Sequence, residues 1–311
     1  MKRLMFALGL TILPLACATT TESQPEAVGK VRWGRDLNAA LAASKQSGKP
    51  VFALFQEVPG CAGCRQFGKE VLSNPMIVEA IETEFTPLLI HNNASGGDAE
   101  VLQRFGEPAW NYQVVRFLDA TAKDLIPRKD QVWTAGPLAQ RMIAALAKAG
   151  RPAPPYLKLL AAEHSTNLKQ AVFAMYCFWT GEMELGKIDG VITTEAGFMS
   201  GHEVTLVRYD SEAITLSALI AEAEKVRCAN AVWVPEADLP IASASRLRIG
   251  TIAGYHPAPA DDQKKQLGGT VAAALGLQGS QATKVNAWIR SDVAKALAFL
   301  TPSQQAKLTV R

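Results

Sequence analysis

The 311-residue sequence is poor in histidine and cysteine, with four of the first and five of the second, and it lacks any long run of like charge. His91, His164, His202 and His256 are scattered without the His/Glu spacing of a metal motif, so no metal site is expected. Five cysteines are too few for a disulfide scaffold. No basic run exceeds two residues, Lys264-Lys265 being one, and the net charge is only +3, which gives no argument for nucleic acid or an anionic surface. The sequence also lacks a phosphate-binding glycine loop, a Ser/His/Asp arrangement and an internal repeat, and no cofactor is implied. What is present is a globular composition: 48% hydrophobic and 20% charged residues exclude a disordered or collagen-like chain, and the length suggests two domains.

Residues 1–18 read as an address. Lys2 and Arg3 precede an apolar stretch over residues 4–15, which ends in Ala16-Cys17-Ala18, the order of a secretory signal. Twelve residues at about 1.5 Å each fall short of a hydrocarbon core about 30 Å thick, so a retained span is not expected. Leu15-Ala16-Cys17 resembles a lipoprotein box, which implies a lipid on Cys17 and a membrane-anchored or periplasmic protein. Cleavage after Ala18 is the rival, and a cytoplasmic chain the bland alternative. Residues 19–30, with Pro25 and Gly29, read as a polar linker.

The first domain is expected over residues 31–150. Asp36 and Gly48 bracket a helix, and Val51-Phe52-Ala53-Leu54-Phe55 is an apolar run suited to a strand buried on both faces. Helices follow the dithiol and cover 76–85. Strands are expected at 87–90, 114–118 and 131–133, with a closing helix over 138–147. This alternation predicts an α/β layered fold. Cys61-Ala62-Gly63-Cys64 stands where the first strand meets a helix. A thiol at a helix N-terminus is favoured as thiolate, and a second thiol one turn inside can attack a mixed disulfide. Half a zinc site and a static disulfide are the competing readings.

This stretch resembles the thioredoxin superfamily. Within it, Val58-Pro59-Gly60-Cys61-Ala62-Gly63-Cys64 is similar to thioredoxin-like proteins named for a Val-Pro-Gly-selenocysteine motif. The resemblance implies that Cys61 attacks and Cys64 resolves. The family's cis-proline precedes a strand-ending Asp by about six residues; counting back from Asp119 gives Gln113, and Pro108 is the nearest proline.

Residues 151–168, with prolines followed by a short helix and polar turns, read as a linker. A second domain over 169–230 carries another strand–Cys–helix junction, with a strand at 168–176 followed by Cys177-Phe178-Trp179-Thr180-Gly181-Glu182. Taken alone, a Cys beside two aromatics is more often a packing residue than a nucleophile. As a set, Cys177, Phe178, Trp179, Glu182, the Gly190-Val191 turn, a Gly197-Phe198…Gly201 loop and His202-Glu203 before Tyr209-Asp210 resemble A-type peptide methionine sulfoxide reductases. The resemblance implies an α+β, ferredoxin-like fold. It makes Cys177 the nucleophile on a sulfoxide sulfur, Glu203 the proton donor, and Phe178 and Trp179 the substrate wall. Tyr176 replaces the family's glycine, and the loop that carries one of its tyrosines is missing. A Cys177 sulfenic acid then condenses with a thiol, for which Cys228 is the candidate resolver, and the dithiol supplies reducing equivalents. Partners on this reading are methionine sulfoxide, free or in oxidised proteins, and an external thiol donor. The alternative is exchange with partner proteins through Cys61/Cys64, the second domain being a degenerate binding module. A mostly helical extension is expected over 231–311, with one helix from Ser280 to Leu300 packed on the preceding domain.

Overall fold

The computed structural model describes residues 24–109 and 113–309. The expectations on residues 1–18, Cys17 among them, lie outside the described residues.

The first sheet has the order β2-β1-β3-β4, with β1 (Val51–Gln56) parallel to β2 (Thr86–His91) and antiparallel to β3 (Val114–Leu118), which pairs with β4 (Lys129–Asp130). Every residue of β1 is buried. Phe52 and Leu54 enter a core with helices α2 (Ala62–Glu70), α3 (Pro75–Glu84) and α5 (Ala135–Lys148). Val51, Ala53 and Phe55 face α1 (Leu37–Ser47) and α4 (Gly97–Phe105) on the other side. A central strand covered on both faces explains the unbroken apolar run. Asp36 caps α1 by accepting from the Ala39 N–H at 2.7 Å, and Gly48 ends it with φ +69°.

Three expectations for this half are corrected. The last strand is at 129–130 rather than 131–133, because Gln131 turns to φ +54° and leaves the ladder. Residues 26–28 are not linker: Ala27, Val28 and Val31 are buried against α2. Gly68 permits that approach, since a Cβ there would lie 1.9 Å from the Glu26 carbonyl oxygen. The short helix expected within 151–168 is α6 (Pro155–Glu163), but the segment is not a free linker, because Tyr156, Leu157 and Leu160 belong to the first core.

The second sheet has the order β10 (His256–Pro257), β6 (Val191–Met199), β7 (His202–Asp210), β5 (Leu168–Ala174), β8 (Ala231–Val234), β9 (Arg248–Thr251). β5 (Leu168–Ala174) is central, between β7 (His202–Asp210) and β8 (Ala231–Val234). Helices α7 (Phe178–Lys187) and α8 (Leu216–Lys225) supply Phe178, Leu185, Leu219 and Ile220 to the core on one face. The expected loop at 197–201 is a hairpin. Gly197 and Phe198 pair within β6 (Val191–Met199), and Ser200-Gly201, at φ +52° and +76°, make the two-residue turn into β7.

The expected boundary at 230 is also corrected, because β8, β9 (Arg248–Thr251) and β10 (His256–Pro257) all join this sheet. A short helix, α9 (Leu239–Ala242), packs beside β8 and β9. The long C-terminal helix is two: α10 (Gly279–Trp288), then α11 (Val293–Ala298), which Asp292 caps through the Lys295 N–H at 2.9 Å. A last helix, α12 (Pro302–Thr309), follows. α10 packs on α7, α6 and β6 and so joins the halves. Its first turn is held by Glu163 of α6, which accepts from the Ser280 N–H and hydroxyl at 3.2 and 2.8 Å. Among the described residues no helix is long and apolar enough to cross a membrane.

Candidate functional site

The structure presents two thiol centres, each where a strand gives way to a helix. In the first, Cys61 is the N-cap of α2 and is exposed, while Cys64 is 1% exposed. Their sulfurs are 3.1 Å apart, and the Cys64 N–H points at Cys61 Sγ at 3.4 Å. The Cys64 thiol, and then its backbone N–H, hold Cys61 below the ordinary thiol range. Burial, and then the hydrogen bond to Cys61, push Cys64 up to about 12. The two thiols thus differ in exposure and in the direction their pKa values are moved.

Trp133 forms one wall: a Cβ on Gly63 would stand 3.5 Å from its ring. Gln113 is wholly buried and donates to the Val132 carbonyl at 2.8 Å. The cis proline among the described residues is Pro59, two positions before Cys61, rather than Pro108. Sequence reasoning missed Glu57, whose carboxylate oxygen lies with both sulfurs inside a 4.8 Å cluster. These three donors are the one such cluster among the described residues. Its 3.1 Å sulfur separation is shorter than the ~3.8 Å at which tetrahedral zinc holds two thiolates, so it matches a hydrogen-bonded thiol pair better than a metal pair.

In the second centre Cys177 is the N-cap of α7 and half-buried. Its side chain makes no capping bond. The Phe178 N–H donates instead to Glu203 Oε2 at 2.9 Å, so β7 delivers the carboxylate to the helix start beside Cys177. Phe178 is buried with its ring 6.1 Å from that of Trp179 and 5.3 Å from that of Phe198. Trp179 and Phe198 are partly exposed, and Tyr176 is 96% exposed. Sequence reading places Phe198 only in the glycine loop, and it assigns no role at this site to Lys265, whose ammonium lies 4.7 Å over the Trp179 ring. Lys265 is placed by its neighbour: Lys264 pairs with the wholly buried Glu182 of α7, and its backbone N–H donates to Glu182 Oε2 at 2.6 Å.

Cys228 is 1% exposed in the core that also holds Phe178 and Met175. Burial, then the charge of Glu184, push it up to about 11. The Tyr255 hydroxyl is spent on Glu195 Oε1 at 2.8 Å. His202 is exposed and lies near the Trp233 ring.

A family model described as thioredoxin-like matches residues 32–120. Peptide methionine sulfoxide reductase MsrA of Methanococcus maripaludis strain C7 is 41% identical over 71 residues, covering 17% of this chain and 45% of that protein. The same-named protein of strain C6 is 57% identical over 37 residues, covering 12% of this chain and 24% of the other. The chain thus spans less than half the length of the curated relatives it matches. Among solved structures, a DsbH oxidoreductase aligns at 18% identity and TM-score 0.33, over 41% of this chain and 92% of that one. Methionine sulfoxide reductase A of Corynebacterium diphtheriae aligns at 17% and 0.29, over 41% and 89%. Both structural likenesses are too slight to bear on function. The first half is therefore a thioredoxin-like α/β domain, and the second an α+β domain with sequence similarity to A-type reductases.

Proposed function

We propose that the protein is a thiol oxidoreductase that reduces methionine-S-sulfoxide at Cys177 and is recharged through Cys61 and Cys64. The observation that carries this reading is the Cys177 centre: a half-buried thiol at a helix start, a carboxylate bonded to the next N–H, and an aromatic wall alongside. Cys177 attacks the sulfoxide sulfur, and Glu203 gives a proton to the departing oxygen. The sulfide leaves, Cys177 becomes a sulfenic acid, and condensation with a thiol releases water and forms a disulfide. Cys228 is the resolver in this scheme, as the thiol buried in the core that also holds Phe178, the residue after Cys177. The substrate is free methionine sulfoxide or an oxidised protein, and an external thiol donor closes the cycle. The Val58–Cys61 stretch supports kinship with the Val-Pro-Gly-selenocysteine group of thioredoxin-like proteins, and residues 1–18 support export with a lipid on Cys17.

A second reading, exchange on partner proteins with a degenerate reductase half, draws on the Tyr255 hydroxyl, which is engaged by Glu195 rather than free to polarise a sulfoxide oxygen. The test is turnover of a chiral methyl sulfoxide with dithiothreitol. Loss of the S-epimer that vanishes in Cys177→Ser and falls about 100-fold in Glu203→Gln supports the first reading. Absence of turnover beside intact disulfide reduction supports the second.

A further inference from the structure

As Cys177 attacks a sulfoxide, negative charge grows on the oxygen, and a hydrogen-bond donor fixed beside that oxygen lowers the barrier. The tyrosines of this half do not supply one at the aromatic wall. The Tyr255 hydroxyl is spent on Glu195, Tyr209 is wholly buried in the core, and Tyr176 is 96% exposed. What lies against the wall is a cation: the Lys265 ammonium stands 4.7 Å over the Trp179 ring, and its side chain is exposed.

The strap that carries Lys265 is tied down on both sides of it. Gln263 fastens it to β6, accepting from the Ala196 N–H at 3.0 Å and donating to the Ala196 carbonyl at 2.8 Å. Lys264 follows at φ +49°, a left-handed conformation that lysine rarely adopts. Buried Glu182 of α7 holds it there by accepting from both its N–H and its ammonium, and that ammonium also donates to the Thr194 carbonyl at 2.5 Å. Beyond Lys265, the Gln266 N–H donates to the Asn286 side chain of α10 at 2.9 Å. Strained backbone kept in place by a buried ion pair is a feature of functional sites. Here it turns residue 265 toward the start of α7.

Lys265 itself keeps a donor in hand. It gives one N–H to the Asp261 carbonyl at 3.1 Å and one to the Asp262 carboxylate at 3.3 Å, and an ammonium has three. The same two residues decide what the remaining N–H can meet. Their two negative charges beside one positive oppose an anionic ligand. The oxygen of an uncharged sulfoxide meets no such opposition and accepts a hydrogen bond.

We propose that Lys265 donates a hydrogen bond to the sulfoxide oxygen and stabilises the charge that develops there. This rests on the reduction of sulfoxide at Cys177 proposed above. The Cys177 thiolate gives two electrons to the sulfoxide and takes its oxygen, and the sulfide leaves. Glu203 supplies the one proton that completes the sulfenic acid, and Lys265 keeps its own protons throughout.

The test is the single-turnover rate of sulfide formation by the pre-reduced full chain at saturating substrate. Two S-sulfoxides are compared: methyl p-tolyl sulfoxide, which is uncharged, and N-acetylmethionine sulfoxide, which carries a carboxylate. Lys265→Met keeps the length of the stem and removes the donors, and it is expected to slow both substrates by about 100-fold. Lys265→Arg, which keeps a donor, should restore most of the rate. Inhibition by methyl p-tolyl sulfide, which lacks the oxygen, should be the same in Lys265→Met as in the parent. An undiminished rate on the uncharged sulfoxide overturns the proposal. Slowing confined to N-acetylmethionine sulfoxide also overturns it, since Lys265 then serves the carboxylate. Loss of sulfide inhibition in step with the rate overturns it as well, since Lys265 then only props the Trp179 ring. If the parent reduces neither sulfoxide, the reductase reading falls and the proposal falls with it.

Discussion

At the scale of single residues, the two cysteines of the dithiol are separated by three positions in sequence and by most of the accessible surface in the fold. Cys61 sits outside the first turn of α2 and collects its N–H groups; Cys64 sits inside it, against the core. The hydrogen bond between the two sulfurs and the burial of Cys64 move their pKa values in opposite directions. Iodoacetamide at neutral pH should therefore label Cys61 well before Cys64. Labelling of Cys64 should grow only as the pH climbs toward its value of about 12. Peptide mapping by mass spectrometry checks this order, and equal labelling at neutral pH would contradict it. The Cys177 centre differs, because the first N–H of its helix is given to Glu203 rather than to sulfur. Cys61, Cys64, Cys177 and Glu203 were legible in the sequence as candidates, since junctions and motif order are local. Glu57 was not, because an exposed acid four residues before a cysteine meets it only through the fold of the intervening loop.

At the scale of elements, helix α7 shows how the C-terminal part of the chain serves the second centre. Lys264 pairs with buried Glu182 in the middle of the helix, and Lys284 of α10 donates to the Gly186 and Ile188 carbonyls at its end, at 2.8 and 3.1 Å. Burial pulls the Lys284 ammonium down to about 8, and its two carbonyl partners offset part of that cost. Lys264→Ala leaves the Glu182 charge buried without its partner, which should cost roughly 3–5 kcal/mol. Chemical denaturation of the variant measures that loss, and hydrogen exchange should place the loosening in α7. Stability equal to the parent would show that the pair does not hold the helix. The strand β1 was legible because burial on both faces leaves an apolar run. The strands β8, β9 and β10 are too short to display a period of two, so that stretch read as a helical extension. The turn at 26–28 read as linker because proline and glycine flank it, although its buried side chains number only a few.

At the scale of the whole molecule, the two halves share α6 and α10 rather than a free linker. α6 lends Tyr156, Leu157 and Leu160 to the first core, while its terminal Glu163 holds the start of the helix that packs on α7. Such a joint keeps the two thiol centres in one molecule, which suits the proposed recharging of one by the other. Electron counting makes this testable without a partner protein. Each sulfoxide takes two electrons, and the four free thiols among the described residues make, in the proposed scheme, the pairs Cys61/Cys64 and Cys177/Cys228. The most direct measurement is the number of sulfide molecules formed per chain when pre-reduced protein, freed of reductant, meets excess methyl S-sulfoxide. The account predicts about two for the parent and about one when Cys61 and Cys64 are serine, with both disulfides found in the spent parent. One sulfide from each, with Cys61 and Cys64 still reduced, would contradict the recharging step; none from either would contradict the reductase itself.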